Sequence, residues 1–203
     1  ANDLARQLAT GPGAASADEL LDQPSPSDGS TTLRQMFDDL NNRIREVFRL
    51  RRIIRIDAPC GGYVHHNGGV GVLLEVEGDN AELAKDICMH VAAMRPLVVS
   101  VEELNPELVN KEREILAEAA RKEGKPEKII DKMVEGRLRT FYEERCLNEQ
   151  PFVKDDKMTI EALMKSKGAV INGFTLYVVG EGIERKVTDF AAEVAEAAAA
   201  AAR

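Results

Sequence analysis

The sequence predicts an α+β fold: a small antiparallel sheet of three to four strands with packed helices, plus an inserted antiparallel helical hairpin. The first observation is a strand–turn–strand pattern in residues 61–77, where Asn67-Gly68-Gly69 separates two β-prone runs. The second is the stretch 80–94, in which apolar residues recur at helical spacing. The third is a pair of charged, amphipathic stretches between residues 106 and 146. Only a short break at 123–126 separates them, so they are expected to fold back on each other.

The other elements are predicted from the same kinds of pattern. The predicted strands are residues 53–57, 61–66, 70–77 and 170–179, and the helices packed on them are 80–94 and 159–167. Ahead of the sheet, hydrophobic periodicity predicts a short helix over 1–9 and a helix over 33–48 that Thr31 or Thr32 caps. Residues 10–30 are rich in Gly, Pro, Ser and Asp, which predicts a flexible loop. The Ala- and Glu-rich end predicts a final helix over 189–202.

The composition restricts the classes of partner. The 203 residues carry a net charge of −8, which argues against nucleic acid as the main partner because phosphates attract a cationic surface. A local basic patch at 43–55 is interpreted as a solvated helix face that runs into a strand. No apolar run approaches the length of a bilayer, and the first residues lack signal-peptide features, so no membrane partner is predicted. The three cysteines fall in no ligand or disulfide pattern, which predicts reduced thiols.

The candidate sites for chemistry have simpler structural interpretations. The glycine run 68–71 precedes a strand rather than a helix, which indicates a hairpin turn and not a phosphate-binding loop. His65 and His66 are adjacent on a strand, so one should point inward and the other outward, and they should not share a metal ion. His90 borders an apolar helical stripe and is predicted to be a hydrogen-bonded core residue. No Ser/His/Asp or Cys/His arrangement is found. We therefore predict no cofactor, no metal and no catalytic chemistry.

Four segments, in the correct order, resemble the elongation factor Ts family. They are GGYVHHNGGVGVLLEVEG followed by DICMHVAAMRP, then KPEKIIDKMVEGR, LNEQPFVK and GEGIERKVTDFAAEV. The matches span roughly residues 43 to 194, and four ordered motifs are far more specific than one short pattern. Members of this family release GDP from elongation factor Tu. The resemblance therefore implies a guanine-nucleotide exchange factor with elongation factor Tu as its partner, and not an enzyme.

The resemblance also implies a domain organisation. Residues 1–50 would be the tail of a preceding core half, residues 51–101 plus 151–187 an α+β core subdomain, residues 102–150 the hairpin, and residues 188–203 a C-terminal helical module. The chain begins without Met, as expected of a fragment or a processed product. The family's Asp-Phe pair from the first core half and its N-terminal domain are not found upstream of residue 43.

The partner-binding residues implied by the resemblance are Ile44, His66, Asn67, Gly68, Asp189 and Phe190. His66 corresponds to the family histidine that inserts toward the GTP-binding domain of elongation factor Tu. A shift of one residue in the match would assign this role to His65. Ile44 matches a hydrophobic contact residue of that interface, and its alternative is ordinary core packing. Asp189 and Phe190 match the C-terminal module. The alternative for Phe190 is that it tethers a surface helix.

Two further hypotheses belong to other functional classes. One is a ribosome-associated or structural protein that keeps the fold without the exchange activity. The other is a homodimer formed through the hairpin, with only scaffolding duties. The expected location is the bacterial cytoplasm or an organelle interior, either the plastid stroma or the mitochondrial matrix.

Overall fold

The computed structural model describes residues 1–78 and 80–183, in two compact units. The first unit comprises residues 1–59, and the second begins at Cys60. The predicted C-terminal module 188–203 lies outside the described residues. The two units are treated separately below.

The first unit contains three helices around a small leucine core. They are α1 (Asn2–Thr10), α2 (Ala17–Leu21) and α3 (Leu33–Ile44). The predicted loop 10–30 is therefore not wholly irregular, because it contains α2. The Ser16 hydroxyl accepts from the Glu19 N–H and caps that helix, and both leucines of α2 are buried. Thr32 and Gln35 form the capping box that begins α3.

Two predictions for the end of this unit are wrong. Helix α3 ends at Ile44 rather than at residue 48, because Arg45 adopts the left-handed conformation with φ 62°. The Asn41 carbonyl accepts the Arg45 N–H as the last bond of the helical pattern, whereas the Asn41 side-chain oxygen accepts the Phe48 N–H, which lies outside that pattern. The predicted strand 53–57 is also absent. Ile53 packs instead against the leucine core of the first unit, and residues 46–57 pair with no described strand.

The second unit contains a three-stranded antiparallel sheet. Its strands are β1 (Cys60–Val64), β2 (Val70–Glu77) and β5 (Val170–Val178), in the order β1-β2-β5. Tyr63 lies opposite Val72, which in turn lies opposite Leu176. The register of β2 and β5 shifts after the Glu75–Gly173 pair, and a glycine inside a strand is typical of such a bulge. The α+β class and the small antiparallel sheet are thus confirmed.

Helices α4 (Ala81–Met94) and α7 (Ile160–Ser166) bury the inner face of the sheet. The side chains of Ile87, Cys88 and Val91 on α4 are fully buried, as is Leu74 at the centre of β2. Asn80 caps α4 by accepting from the Leu83 N–H. The core is therefore built almost entirely from aliphatic residues.

Gly61 marks the closest approach of β1 to α4. A Cβ atom at this position would lie 2.7 Å from the Ala84 Cβ, which is too close for two carbon atoms. Gly61→Ala is therefore expected to lower the free energy of unfolding by about 1–3 kcal/mol, because helix and strand must separate. Gly71→Ala in β2 is the matched control, since nothing lies within 4 Å of its Cβ position. Urea unfolding of both variants measures the difference, and equal stabilities would contradict this account.

The helical hairpin is formed by α5 (Pro106–Lys122) and α6 (Glu127–Arg145). Its interior is a separate apolar cluster, with Ile130, Val134, Leu138 and Phe141 as the buried stripe of α6. Charged pairs join the outer surfaces of the two helices: Arg113 with Glu135, Arg121 with Glu127, and Arg137 with Glu123. The predicted break is confirmed, with Gly124 at φ 74° in the turn.

A small β-hairpin follows the helical hairpin, and the sequence reasoning missed it. It consists of β3 (Pro151–Phe152) and β4 (Asp155–Thr159). The strands are short, and most of β4 is exposed and charged, so no alternation of apolar and polar residues marks it. Thr159 then caps α7, as expected. Among the described residues, no helix is both long and apolar enough to cross a membrane.

Candidate partner-binding surfaces

The turn between β1 and β2 carries three of the residues predicted to bind a partner. The His65 N–H donates to the first carbonyl of β2 at 2.9 Å, and the Gly68 N–H donates to the His65 carbonyl at 2.8 Å. Gly68 has φ 69°, a conformation that glycine adopts without strain. The Asn67 side-chain oxygen accepts from the Gly69 N–H at 2.9 Å. These bonds fix the turn, so that His66 is presented from an ordered backbone.

The two histidines of this turn have different environments. His65 is half-buried, and its Nδ1 lies 2.9 Å from the Tyr63 hydroxyl. His66 is exposed and makes no hydrogen bond within the described part of the chain. The two rings are 4.2 Å apart. The strand ends at Val64 rather than at residue 66, so both histidines lie in the turn, where His65 is the half-buried one and His66 the exposed one.

Ile44 is exposed at the end of α3 in the first unit, with 47% of its surface accessible. The alternative that it belongs to a core is therefore wrong. Val47 and Phe48, which follow it, are 81% and 39% exposed, so the apolar surface continues beyond the predicted residue. The sequence reasoning missed both because it extended α3 through them. Asp189 and Phe190 lie outside the described residues.

His90 is structural, as predicted. It is fully buried on α4, with its Nε2 2.9 Å from the Gln150 side-chain oxygen, and its Nδ1 accepts the Val153 N–H at 3.3 Å. The Gln150 side-chain oxygen can only accept a hydrogen bond, so the His90 Nε2 carries a proton. Because Nδ1 accepts a hydrogen bond, it carries none, and the ring is neutral. Burial lowers the pKa of His90, although the Gln150 hydrogen bond opposes that shift. The Gln150 amide also donates to the Glu144 carbonyl at the end of α6. This network connects α4 to the base of the helical hairpin.

The cysteines and glycines offer no reactive arrangement in residues 1–78 and 80–183. Burial raises the pKa of Cys88 and of Cys146 to about 11, so both thiols are protonated near neutral pH. Gly68 and Gly69 lie in the turn between β1 and β2 and Gly71 lies within β2, so no helix N-terminus follows the glycine run. In the same described ranges, no three His, Cys, Asp or Glu side chains are grouped closely enough to hold a metal ion.

Comparison with known proteins identifies the family. A family model described as "Elongation factor TS" matches residues 1–181. The chain belongs to the elongation factor Ts family. Among its curated relatives, it is 47% identical to the elongation factor Ts of Aromatoleum aromaticum over 177 residues, or 86% of this chain and 60% of that protein. It is 50% identical to that of an Azoarcus species over 165 residues, covering 80% and 56% of the two chains.

The family model matches a part of the chain that lies before the four segments that carry the resemblance. The elongation factor Ts of Thiobacillus denitrificans is 45% identical over 171 residues, or 83% of this chain and 58% of that protein. The chain therefore spans a little over half the length of these relatives. The family match also includes residues 1–42, where the sequence reasoning found no family motif.

Proposed function

We propose that this chain is a guanine-nucleotide exchange factor that promotes GDP release from elongation factor Tu. The family match over residues 1–181 is the observation that carries the proposal. The exposed His66 on an ordered turn and the exposed Ile44 on the first unit support it, because both present the side chains that the family resemblance implies. Asn67 and Gly68 belong to the same turn and are included in the proposed binding surface.

The proposed mechanism is mechanical and requires no chemistry from this chain. A binding partner shifts a conformational equilibrium only by the difference between its affinities for the two states. The chain would bind more tightly to the form of elongation factor Tu that holds GDP weakly. Because this coupling is reciprocal, GDP would weaken the complex by the same factor. Both the release and the rebinding of GDP would then become faster.

His66→Ala is expected to slow the stimulated release of GDP by about tenfold, the effect of removing one well-packed interface side chain. The measurement is the release of a fluorescent GDP analogue from elongation factor Tu, as a function of chain concentration. Because His66 makes no hydrogen bond to a described residue, its variant should unfold at the same temperature as the wild-type chain.

His65→Ala is the matched comparison for this experiment. His65 is held by the Tyr63 hydroxyl, so its replacement should affect exchange less than that of its exposed neighbour. A larger loss with His65→Ala would assign the family histidine to residue 65. Unchanged release with both variants would remove the turn from the proposed mechanism.

The other partner hypotheses stay predictions, and no described feature favours them over exchange. Co-sedimentation with ribosomes in the absence of elongation factor Tu would test ribosome association. Light scattering on a variant that lacks residues 106–146 would test a dimer formed through the hairpin. We also propose the bacterial cytoplasm as the location, because the relatives compared are bacterial proteins. The plastid and mitochondrial alternatives stay untested.

A further inference from the structure

Residues 43–55 of the first unit, RIREVFRLRRIIR, form an arginine-rich segment that the proposed function does not explain. The segment contains six arginines, no lysine and a single acid, Glu46, whereas the whole chain has a net charge of −8. It begins in the last turn of α3, and residues 46–57 have no regular secondary structure. All six arginines are exposed. This segment is called the arginine strip below.

The arginine strip is attached to the first unit and is not a loose loop. Leu50 and Ile53 pack against the leucine core of this unit. The Arg55 guanidinium donates to the Leu8 and Gly11 carbonyls, at 3.3 and 3.1 Å, at the end of α1. These contacts attach the backbone of the strip to the first unit.

Three of these arginines have no polar partner in the described part of the chain. The side chains of Arg43, Arg45 and Arg49 make no hydrogen bond or ion pair to any described residue. Arg43 and Arg45 flank Ile44, and the exposed Val47 lies between Arg45 and Arg49. Positive and apolar side chains are therefore interspersed along this part of the strip, with Glu46 as its one acid.

The backbone at Arg45 is a second, independent observation. Arg45 occupies the left-handed position that ends α3, with φ 62° and ψ 32°. Glycine is the usual residue there, because a Cβ atom destabilises this conformation. The fold would therefore be more stable with glycine at this position. Arg45 therefore places a positive charge without a described partner next to Ile44, at a backbone position where glycine would be more stable.

We propose that Arg43, Arg45 and Arg49 bind and steer an acidic protein surface that surrounds a socket for Ile44. This inference rests on the proposed function and assigns that surface to elongation factor Tu. Complementary charges accelerate the encounter of two proteins and fix their relative orientation. The exposed apolar residues between the arginines then supply the contact that is desolvated on binding.

Charge and composition favour a protein partner over a nucleic acid. The net charge of −8 would repel a long phosphate backbone outside the strip, whereas a protein partner needs only a local acidic region. Phe48 is the single aromatic side chain of the strip and is 39% exposed, so the strip lacks the successive rings that stack with bases.

The test is the association rate constant of the full chain with elongation factor Tu, measured by stopped-flow fluorescence at about 0.01 M and about 1 M salt, where the screening lengths are about 30 and 3 Å. A variant with all three arginines replaced by glutamine should associate about tenfold more slowly at low salt and like the wild type at high salt. The corresponding variant with three lysines should keep most of the rate, because the positive charges remain.

The single substitution Arg45→Gly distinguishes an effect on association from an effect on stability. It should raise the unfolding temperature by about 1–4 °C, because glycine adopts the left-handed conformation without strain, and yet slow association at low salt. Arg95→Gly is the matched control. Arg95 is exposed and ends α4 with φ 51°, so its replacement makes the same backbone and charge change outside the strip. It should raise the unfolding temperature without slowing association.

The outcomes distinguish the inference from the proposed function. If the wild-type chain accelerates GDP release and the glutamine variant associates equally fast at low salt, the inference is overturned and the proposed function stands. If the wild-type chain neither binds elongation factor Tu nor accelerates release, both are overturned. Salt-sensitive binding of a single-stranded oligonucleotide that the glutamine variant loses, with unchanged association to the protein, would assign the strip to nucleic acid and overturn the inference.

Discussion

Truncation of Ile87 to alanine is expected to lower the free energy of unfolding by about 2–5 kcal/mol. Ile87 is fully buried in the middle of α4, where the helix packs on the sheet. Removal of its side-chain carbons loses apolar burial and leaves a cavity, because a closely packed core relaxes only in part. Urea unfolding monitored by circular dichroism measures the change.

Ile44→Ala is the matched control, since it removes the same atoms from an exposed position. Its effect on unfolding should stay within about 0.5 kcal/mol, as is usual for surface substitutions. Under the proposed function, the two variants should also differ in their binding of elongation factor Tu. Ile44→Ala should weaken binding of elongation factor Tu, whereas correctly folded Ile87→Ala should bind like the wild-type chain. Equal loss of stability in the two variants would contradict the assignment of Ile87 to the core.

Replacement of His90 by leucine is expected to lower the free energy of unfolding by about 2–4 kcal/mol at neutral pH. The substitution keeps an apolar body of similar size, but it leaves the Gln150 side-chain oxygen and the Val153 N–H without their partner. Buried polar groups that lose a hydrogen bond cost roughly 1–3 kcal/mol each. Gln150 also holds the Glu144 carbonyl, so the base of the helical hairpin should loosen. Hydrogen exchange at residues 144–153 should therefore increase.

The same histidine makes stability depend on pH. The pKa of His90 is lowered in the folded chain from its ordinary value of 6.5. Below pH 6.5 the unfolded chain consequently binds a proton that the folded chain excludes, and stability falls as the pH decreases toward the folded pKa. The wild-type chain should lose more stability than His90→Leu between pH 7.5 and pH 5.5, values chosen about one unit on each side of the ordinary pKa. Parallel losses in the two chains would assign the pH dependence to other groups.

Much of the fold could be predicted because local patterns and tertiary packing agree. The strand–turn–strand unit, α4 and the helical hairpin each have strong periodicity and clear end signals, and the structure has all of them. The failures occur where tertiary contacts decide the structure. Ile53, Ile54 and Ile56 resemble a strand, but a strand requires a partner to form hydrogen bonds, and Ile53 contacts the leucine core instead. The β3–β4 hairpin is too short and too polar to be recognised from periodicity.

The candidate surfaces could also be predicted only in part, because local patterns do not determine which side chains are exposed. Strand alternation predicts that one of the two adjacent histidines points outward, and His66 is the exposed one, although both residues follow the end of β1 and lie in the turn. The exposure of Ile44 could not be predicted from helical periodicity, which places it on the apolar face of α3. That exposure depends on the end of α3, where Arg45 adopts the left-handed conformation and the Asn41 side chain accepts the Phe48 N–H. Sequence patterns describe the interior of a helix better than its end.

The order of strands in the sheet also affects how the chain can fold during synthesis. Strand β2 pairs with β5, which lies roughly a hundred residues later, and the whole helical hairpin is translated between them. Strands so far apart in the sequence pair late in folding, because forming their contact restricts the long intervening chain and costs conformational entropy. Until β5 leaves the ribosome, one edge of β2 is an unpaired template for other strands. The nascent chain is consequently vulnerable to aggregation during this interval, although the helical hairpin, whose contacts are local, can already have formed.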